Sequence, residues 1–133
     1  MKADVLIIED NEQNIYLETF LLEKNGYRVT QARDGREGIA LARLAKPDMI
    51  LLDIQLPVMD GYAVARELRQ NGELENVPIV AVTSYAMSGD RERALAAGCT
   101  GYIEKPINPE TFTAEIEQDL IASQSQPPTG GAK

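Results

Sequence analysis

Three short runs in this 133-residue chain, "VLII" from Val5, "MILL" from Met49 and "IVAV" from Ile79, are apolar at every position rather than at every second one. A strand with one wet face alternates polar and apolar residues. A strand apolar on consecutive residues is covered on both faces, which is the mark of a parallel sheet sandwiched between helices. With the β-rich runs around them, the expected strands are Val5–Ile8, Tyr27–Gln31, Met49–Asp53, Ile79–Thr83 and Gly101–Glu104.

The segments between these runs read as helices. "NEQNIYLETFLLEKNG" repeats Ile15, Leu22 and their neighbours at helical spacing and stops at Gly26. "DGREGIALARLAKPD" is capped by Asp34 and ended by Pro47, "DGYAVARELRQNG" follows the third strand, and "SGDRERALAAG" closes at Gly98. A fifth helix is expected to start near Pro109 in "NPETFTAEIEQDLIA". Five strand–helix pairs with right-handed crossovers give an α/β doubly wound sandwich, and we favour the flavodoxin-like order 2-1-3-4-5. One domain over residues 1–122 is expected, with 123–133 ("SQSQPPTGGAK") a flexible tail because it lacks any apolar period.

Charge narrows the function classes. Thirteen Lys and Arg stand against 21 Asp and Glu, a net charge of −8, which repels nucleic acid and anionic membranes and argues against either as a direct partner. No leader-like or membrane-spanning run is present in the sequence, and Cys99 is the sole cysteine, so a cytoplasmic location is expected. Histidine is absent. That excludes Ser/His and Cys/His hydrolase arrangements, and any phosphohistidine of the chain's own.

Chemistry must therefore rest on carboxylates, hydroxyls and lysines. Glu9 and Asp10 end the first strand and Asp53 ends the third, the two strands between which the sheet order reverses and where such folds bind ligands. Taken singly, each acid would be a cap for the helix that follows. Three on adjacent strands repel one another unless a cation neutralises them, and hard oxygen ligands with an open rim suit Mg²⁺. Thr83, at the end of the fourth strand, and Lys105, just after the fifth, point to the same crevice; a hydroxyl and an ammonium are groups that hold a phosphoryl oxygen. The Lys105–Pro106 bond is a candidate for the cis form.

The motifs "IIEDN", "MILLDIQLPVMDGY", "IVAVTSYA" and "GYIEKPI" occur in the order and spacing of the receiver domains of two-component response regulators, which this chain resembles from about Ala3 to about Ala122. The resemblance implies that Asp53 accepts a phosphoryl group, that Asp10 and Asp53 ligate Mg²⁺ directly, that Glu9 acts largely through bound water, and that the backbone carbonyl of Gln55 is a further ligand. Most members carry two aspartates where this chain has Glu9 and Asp10. It further implies Thr83 and Tyr102 as the switch pair, Lys105 as the site lysine, and Pro57 and Gly61 as the residues that shape the loop after the acceptor. Gln55 and Tyr85, each two residues beyond a site residue, would flank the phosphoryl group, Tyr85 shielding it and Gln55 able to position a water.

The donor implied is a phosphohistidine on a sensor histidine kinase or histidine phosphotransfer protein. Its docking is expected on Asn14–Leu17 and Pro106–Pro109, with a downstream protein target engaged by the switched face. The residues after Ala122 hold one lysine and no periodicity, so a stand-alone regulator is expected, with a receiver excised from a hybrid kinase as the alternative. An Mg²⁺-dependent phosphatase with an aspartate nucleophile would share the acid pocket, but haloacid-dehalogenase-like enzymes place a second acid where Gln55 stands. No glycine-rich nucleotide motif supports a nucleotide or flavin binder.

Overall fold

A computed structural model describes residues 3–84 and 89–125. Its elements are β1 (Asp4–Ile8), α1 (Glu12–Lys24), β2 (Arg28–Ala32), α2 (Gly35–Ala45), β3 (Met49–Asp53), α3 (Gly61–Arg69), a 3-10 turn (Gly72–Leu74), β4 (Ile79–Thr83), α4 (Asp90–Ala97), β5 (Gly101–Glu104) and α5 (Phe112–Ser125). The strands form one parallel sheet in the order β2-β1-β3-β4-β5.

Local chemistry accounts for the helix starts and stops. The side chains of Asn11, Asp34 and Asp60 accept backbone N–H groups three residues on, capping α1, α2 and α3. Gly98, at φ 114°, closes α4 in a left-handed conformation that a Cβ would disfavour.

Period two sorts the strand side chains onto two faces. Val5 and Ile7 of β1, Met49 and Leu51 of β3 and Val80 of β4 join Leu21, Leu22, Phe112 and Ile116 in the core under α1 and α5. Their neighbours Leu6, Ile8, Ile50, Leu52, Ile79 and Ala81 join Ile39, Val64, Leu68 and Ala94 in the core under α2, α3 and α4. Every residue of β3 and β4 is buried, as expected for central strands, and each large apolar side chain so enclosed contributes about 1.5–3 kcal/mol before entropy is charged against it.

Strand β1 begins one residue earlier than expected, at Asp4, β2 is shifted one residue later at both ends, and α5 starts later. Strand β2 begins at Arg28, paired with Asp4, because Tyr27 turns its ring into the α1/α5 layer, where its hydroxyl donates to Glu117 at 2.8 Å. Helix α5 begins at Phe112 rather than Pro109. Asn108 holds the intervening residues in a turn, its side chain accepting from Glu110 N–H and its carbonyl from Thr111 and Phe112. The helix then continues through Ser125, past the point where the apolar period of the sequence ends.

Candidate functional site

Side-chain alternation carries past the strand ends. Glu9 continues the row of Val5 and Ile7, Asp53 that of Met49 and Leu51, and Lys105 that of Ile103, which packs against the same core. All three rows face α1 and α5. Thr83 continues Ile79 and Ala81 on the opposite face. Tyr102 shares that opposite face: it lies beside Ala81 in the β4–β5 register and packs against the α3/α4 core.

On the α1 side the charges meet. Glu9 and Asp53 are almost fully buried, and the Lys105 ammonium lies 3.1 Å from Glu9 Oε1 and 3.5 Å from Asp53 Oδ2. The Lys105–Pro106 peptide is cis. Asp10 stands exposed at the rim, and single carboxylate oxygens of Glu9, Asp10 and Asp53 lie within 4.8 Å of one another. Two backbone N–H groups enter the cluster, Asn11 to Glu9 Oε2 at 3.2 Å and Gln55 to Asp53 Oδ1 at 3.0 Å. The sequence expectation for Glu9, Asp10, Asp53, Gln55 and Lys105 is thus a single crevice, lined also by Asn11, Asn14 and Ser84.

The electrostatics follow from burial. Desolvation, reinforced by a hydrogen bond with Glu9 and its charge, pushes the Asp53 carboxyl up to about 7; the Lys105 ammonium and the Gln55 N–H oppose that rise. Lys105 is itself held above the ordinary lysine range: burial disfavours its charge, but the Asp53 and Glu9 carboxylates outweigh that effect. One cation among three acids leaves the site short of positive charge. Glu9 Oε1 is buried, with the Lys105 ammonium 3.1 Å away as its ion-pair partner and no further hydrogen bond. Carboxylates left under-neutralised in this way, with one at an open rim, form a donor set that fits a hard divalent cation such as Mg²⁺.

On the α3/α4 side the strand-end groups Thr83 and Gln55 are neutral. The Gln55 side chain spans the ends of β3 and β4, donating to Thr83 Oγ1 at 2.6 Å and accepting from Ser84 N–H at 3.1 Å. Its amide is thus engaged with protein groups at both ends. Tyr102 lies outside the acid crevice, half-buried, with the Arg91 guanidinium 5.9 Å from its ring centroid. Tyr85 lies outside the described residues. Gly61 begins α3 where a Cβ would fall 2.6 Å from the Ile54 Cα and 2.7 Å from the Asp53 carbonyl oxygen, so only glycine allows this helix to start so close to the acid's own backbone.

One buried acid was not anticipated. Glu18 of α1 is 1% exposed and shares the helix's buried stripe with Ile15, Leu21 and Leu22. Its spacing three residues after Ile15 was the available signal: an acid at an apolar position of an amphipathic helix.

This fold and this acid crevice define a class, and the chain belongs to the response regulator receiver domain family, which it matches over residues 5–117. It is 44% identical over 120 residues to the polar-differentiation response regulator DivK of Brucella anthropi, covering 90% of this chain and 98% of that protein. Among solved structures it resembles the Vibrio cholerae chemotaxis protein CheY4 (31% identity, TM-score 0.86, 90% of this chain and 99% of that one). It also resembles the receiver domain of a Pseudomonas aeruginosa sensor histidine kinase (36% identity, TM-score 0.83, 90% and 98%), which was solved with a magnesium ion coordinated in its active site cleft. Among the described residues, no helix is long and apolar enough to cross a membrane.

Proposed function

We propose that the chain is a stand-alone cytoplasmic response regulator in which Asp53 accepts a phosphoryl group from a phosphohistidine donor. The observation that carries this reading is the Glu9/Asp10/Asp53 crevice with Lys105 across it. The match to nearly the whole length of DivK supports the stand-alone role.

Transfer would form a bond between an Asp53 Oδ atom and phosphorus as the phosphorus–nitrogen bond of the donor breaks, the imidazole leaving with that electron pair. Glu9, Asp10, Asp53 and the Gln55 backbone carbonyl would hold Mg²⁺, which when bound offsets charge on the transferred oxygens. Lys105 pairs with one of those oxygens from inside the crevice, and the Thr83 hydroxyl donates to another from the opposite face. Drawing Thr83 toward the new group disturbs its contact with Gln55 and the face it shares with Tyr102, which is how phosphorylation of one strand end reaches the α4/β5 surface. The kinase or phosphotransfer protein would dock beside the crevice on Asn14–Leu17, where Tyr16 is exposed, and on Pro106–Pro109.

The test is labelling by a small acyl phosphate with Mg²⁺, read by intact mass. Wild type should gain one phosphoryl group and Asp53→Asn none; labelling that persists in Asp53→Asn would overturn the assignment. Transfer from purified sensor kinases of the source organism should show the same dependence on Asp53.

A further inference from the structure

Among the described residues, the buried side-chain atoms without a hydrogen-bond partner are Glu9 Oε1 and Glu18 Oε2. The first belongs to the crevice. The second lies in the α1 layer, on the face toward which the Glu9, Asp53 and Lys105 rows point. Burial pushes the Glu18 carboxyl up to about 8; the charges of Glu9 and Asp53 push the same way, and Lys105 opposes them. Glu18 in turn favours the charged form of Lys105. The two side chains are electrostatic neighbours, yet Lys105 contacts Glu9 and Asp53 instead.

Those two acids are also the ones a divalent cation would claim. A doubly charged ion on Glu9 and Asp53 repels the ammonium and takes over its acceptors, and the Lys105 side chain, 11% exposed, has little access to water as a substitute. We propose that Glu18 is a positioning residue whose carboxyl receives the Lys105 ammonium when a divalent cation occupies Glu9 and Asp53. A carboxyl oxygen accepts a hydrogen bond whether or not the group is protonated, so the role depends on the oxygen rather than on its charge. The inference rests on the metal-site reading above and adds a residue outside the ligand set.

The experiment is an Mg²⁺ titration followed by amide chemical shifts at pH 7, on wild type, Glu18→Gln, Glu18→Met, Lys105→Met and the Glu18→Met/Lys105→Met double variant. Thermal melts of each would establish that it is folded. Glu18→Met should weaken Mg²⁺ binding about five-fold, while Glu18→Gln, which keeps an oxygen acceptor, stays within about two-fold of wild type. Lys105→Met should bind Mg²⁺ more tightly, and Glu18→Met should have no further effect in that background. Unchanged affinity in Glu18→Met would overturn the proposal, as would an equal weakening in Glu18→Gln or a five-fold loss that persists without Lys105. Absence of any saturable shift in wild type would instead overturn the metal-site reading on which it stands.

Discussion

The two faces of the sheet end differently. On the α1/α5 side, β1, β3 and β5 lead into Glu9, Asp53 and Lys105, with Glu18 behind them: four charged-type side chains largely removed from water. On the α3/α4 side lie Thr83 at the end of β4, the Gln55 amide bridge and Tyr102 of β5, joined by neutral hydrogen bonds and packing. A one-residue alternation separates a charged half from a neutral one. The charged half keeps acids away from water, with a Glu9 oxygen held only by an ion pair among them, whereas the neutral half is joined by the Gln55–Thr83 hydrogen bond.

The largest effect should come from removing the single cation of the charged half. Taking away one partner of a buried ion pair leaves the other uncompensated, so Lys105→Met should cost about 3 kcal/mol in urea unfolding at pH 8 without divalent ions. The penalty should shrink as pH falls, because Asp53 is already raised to about 7 and takes up a proton readily once the ammonium is gone. Added Mg²⁺ should recover part of it. A variant as stable as wild type at pH 8 would show that Lys105 does not neutralise the cluster.

Next comes the pH dependence contributed by Glu18. Its ordinary value of 4.5 is raised to about 8 in the fold, so between those values the native state binds more protons than the unfolded chain. Stability from this group is therefore fully present below about pH 4.5 and is lost as pH rises toward 8. Glu18→Gln removes that slope. In metal-free melts from pH 4.5 to 8.5, wild type should lose on the order of 2–4 kcal/mol relative to Glu18→Gln across the range. Parallel curves would show that Glu18 ionises freely in the fold.

The same division explains what was legible in the chain. The central strands were readable because burial on both faces leaves consecutive apolar letters, and the acids were readable because they interrupt those runs at "IIED" and "LLD". Glu18 was hidden by the opposite circumstance: a lone acid within a helical stripe gives no local break, and its burial depends on where α1 lands against the sheet. The start of α5 was misplaced because Pro109 suits a first helical turn, whereas the Asn108 side chain and carbonyl organise a non-helical turn there first. The Gln55–Thr83 link joins residues 28 apart, a contact that only the β3–β4 pairing creates.

On the neutral half, breaking the bridge should cost less. Gln55→Ala removes a partly buried hydrogen bond to Thr83 and an exposed one from Ser84 N–H, for about 1 kcal/mol of stability. Acyl-phosphate labelling of Asp53 should survive, since no charged group is lost. Phosphate loss should be as fast or faster, because opening the rim between β3 and β4 admits water; slower loss would instead mean that the Gln55 amide orients the attacking water.

The smallest effect tests how firmly the neutral half is held. Arg91 projects from α4 and sits 5.9 Å from the Tyr102 ring centroid, and its side chain is exposed. A cation–π contact at such a site contributes about 0.5 kcal/mol, so Arg91→Ala should shift the melt barely beyond error and leave labelling of Asp53 unchanged. Its consequence should be dynamic. With the guanidinium gone, the half-buried ring keeps its packing against the α3/α4 core but loses its outer cover. In ¹⁹F spectra of fluorotyrosine-labelled protein, with the Tyr102 signal assigned through Tyr102→Phe, that resonance should shift toward its labelled-state position before any phosphoryl donor is added. A Tyr102 resonance identical in wild type and Arg91→Ala, with and without labelling, would place this ring outside the response and leave the Gln55–Thr83 contact as the route between the two faces.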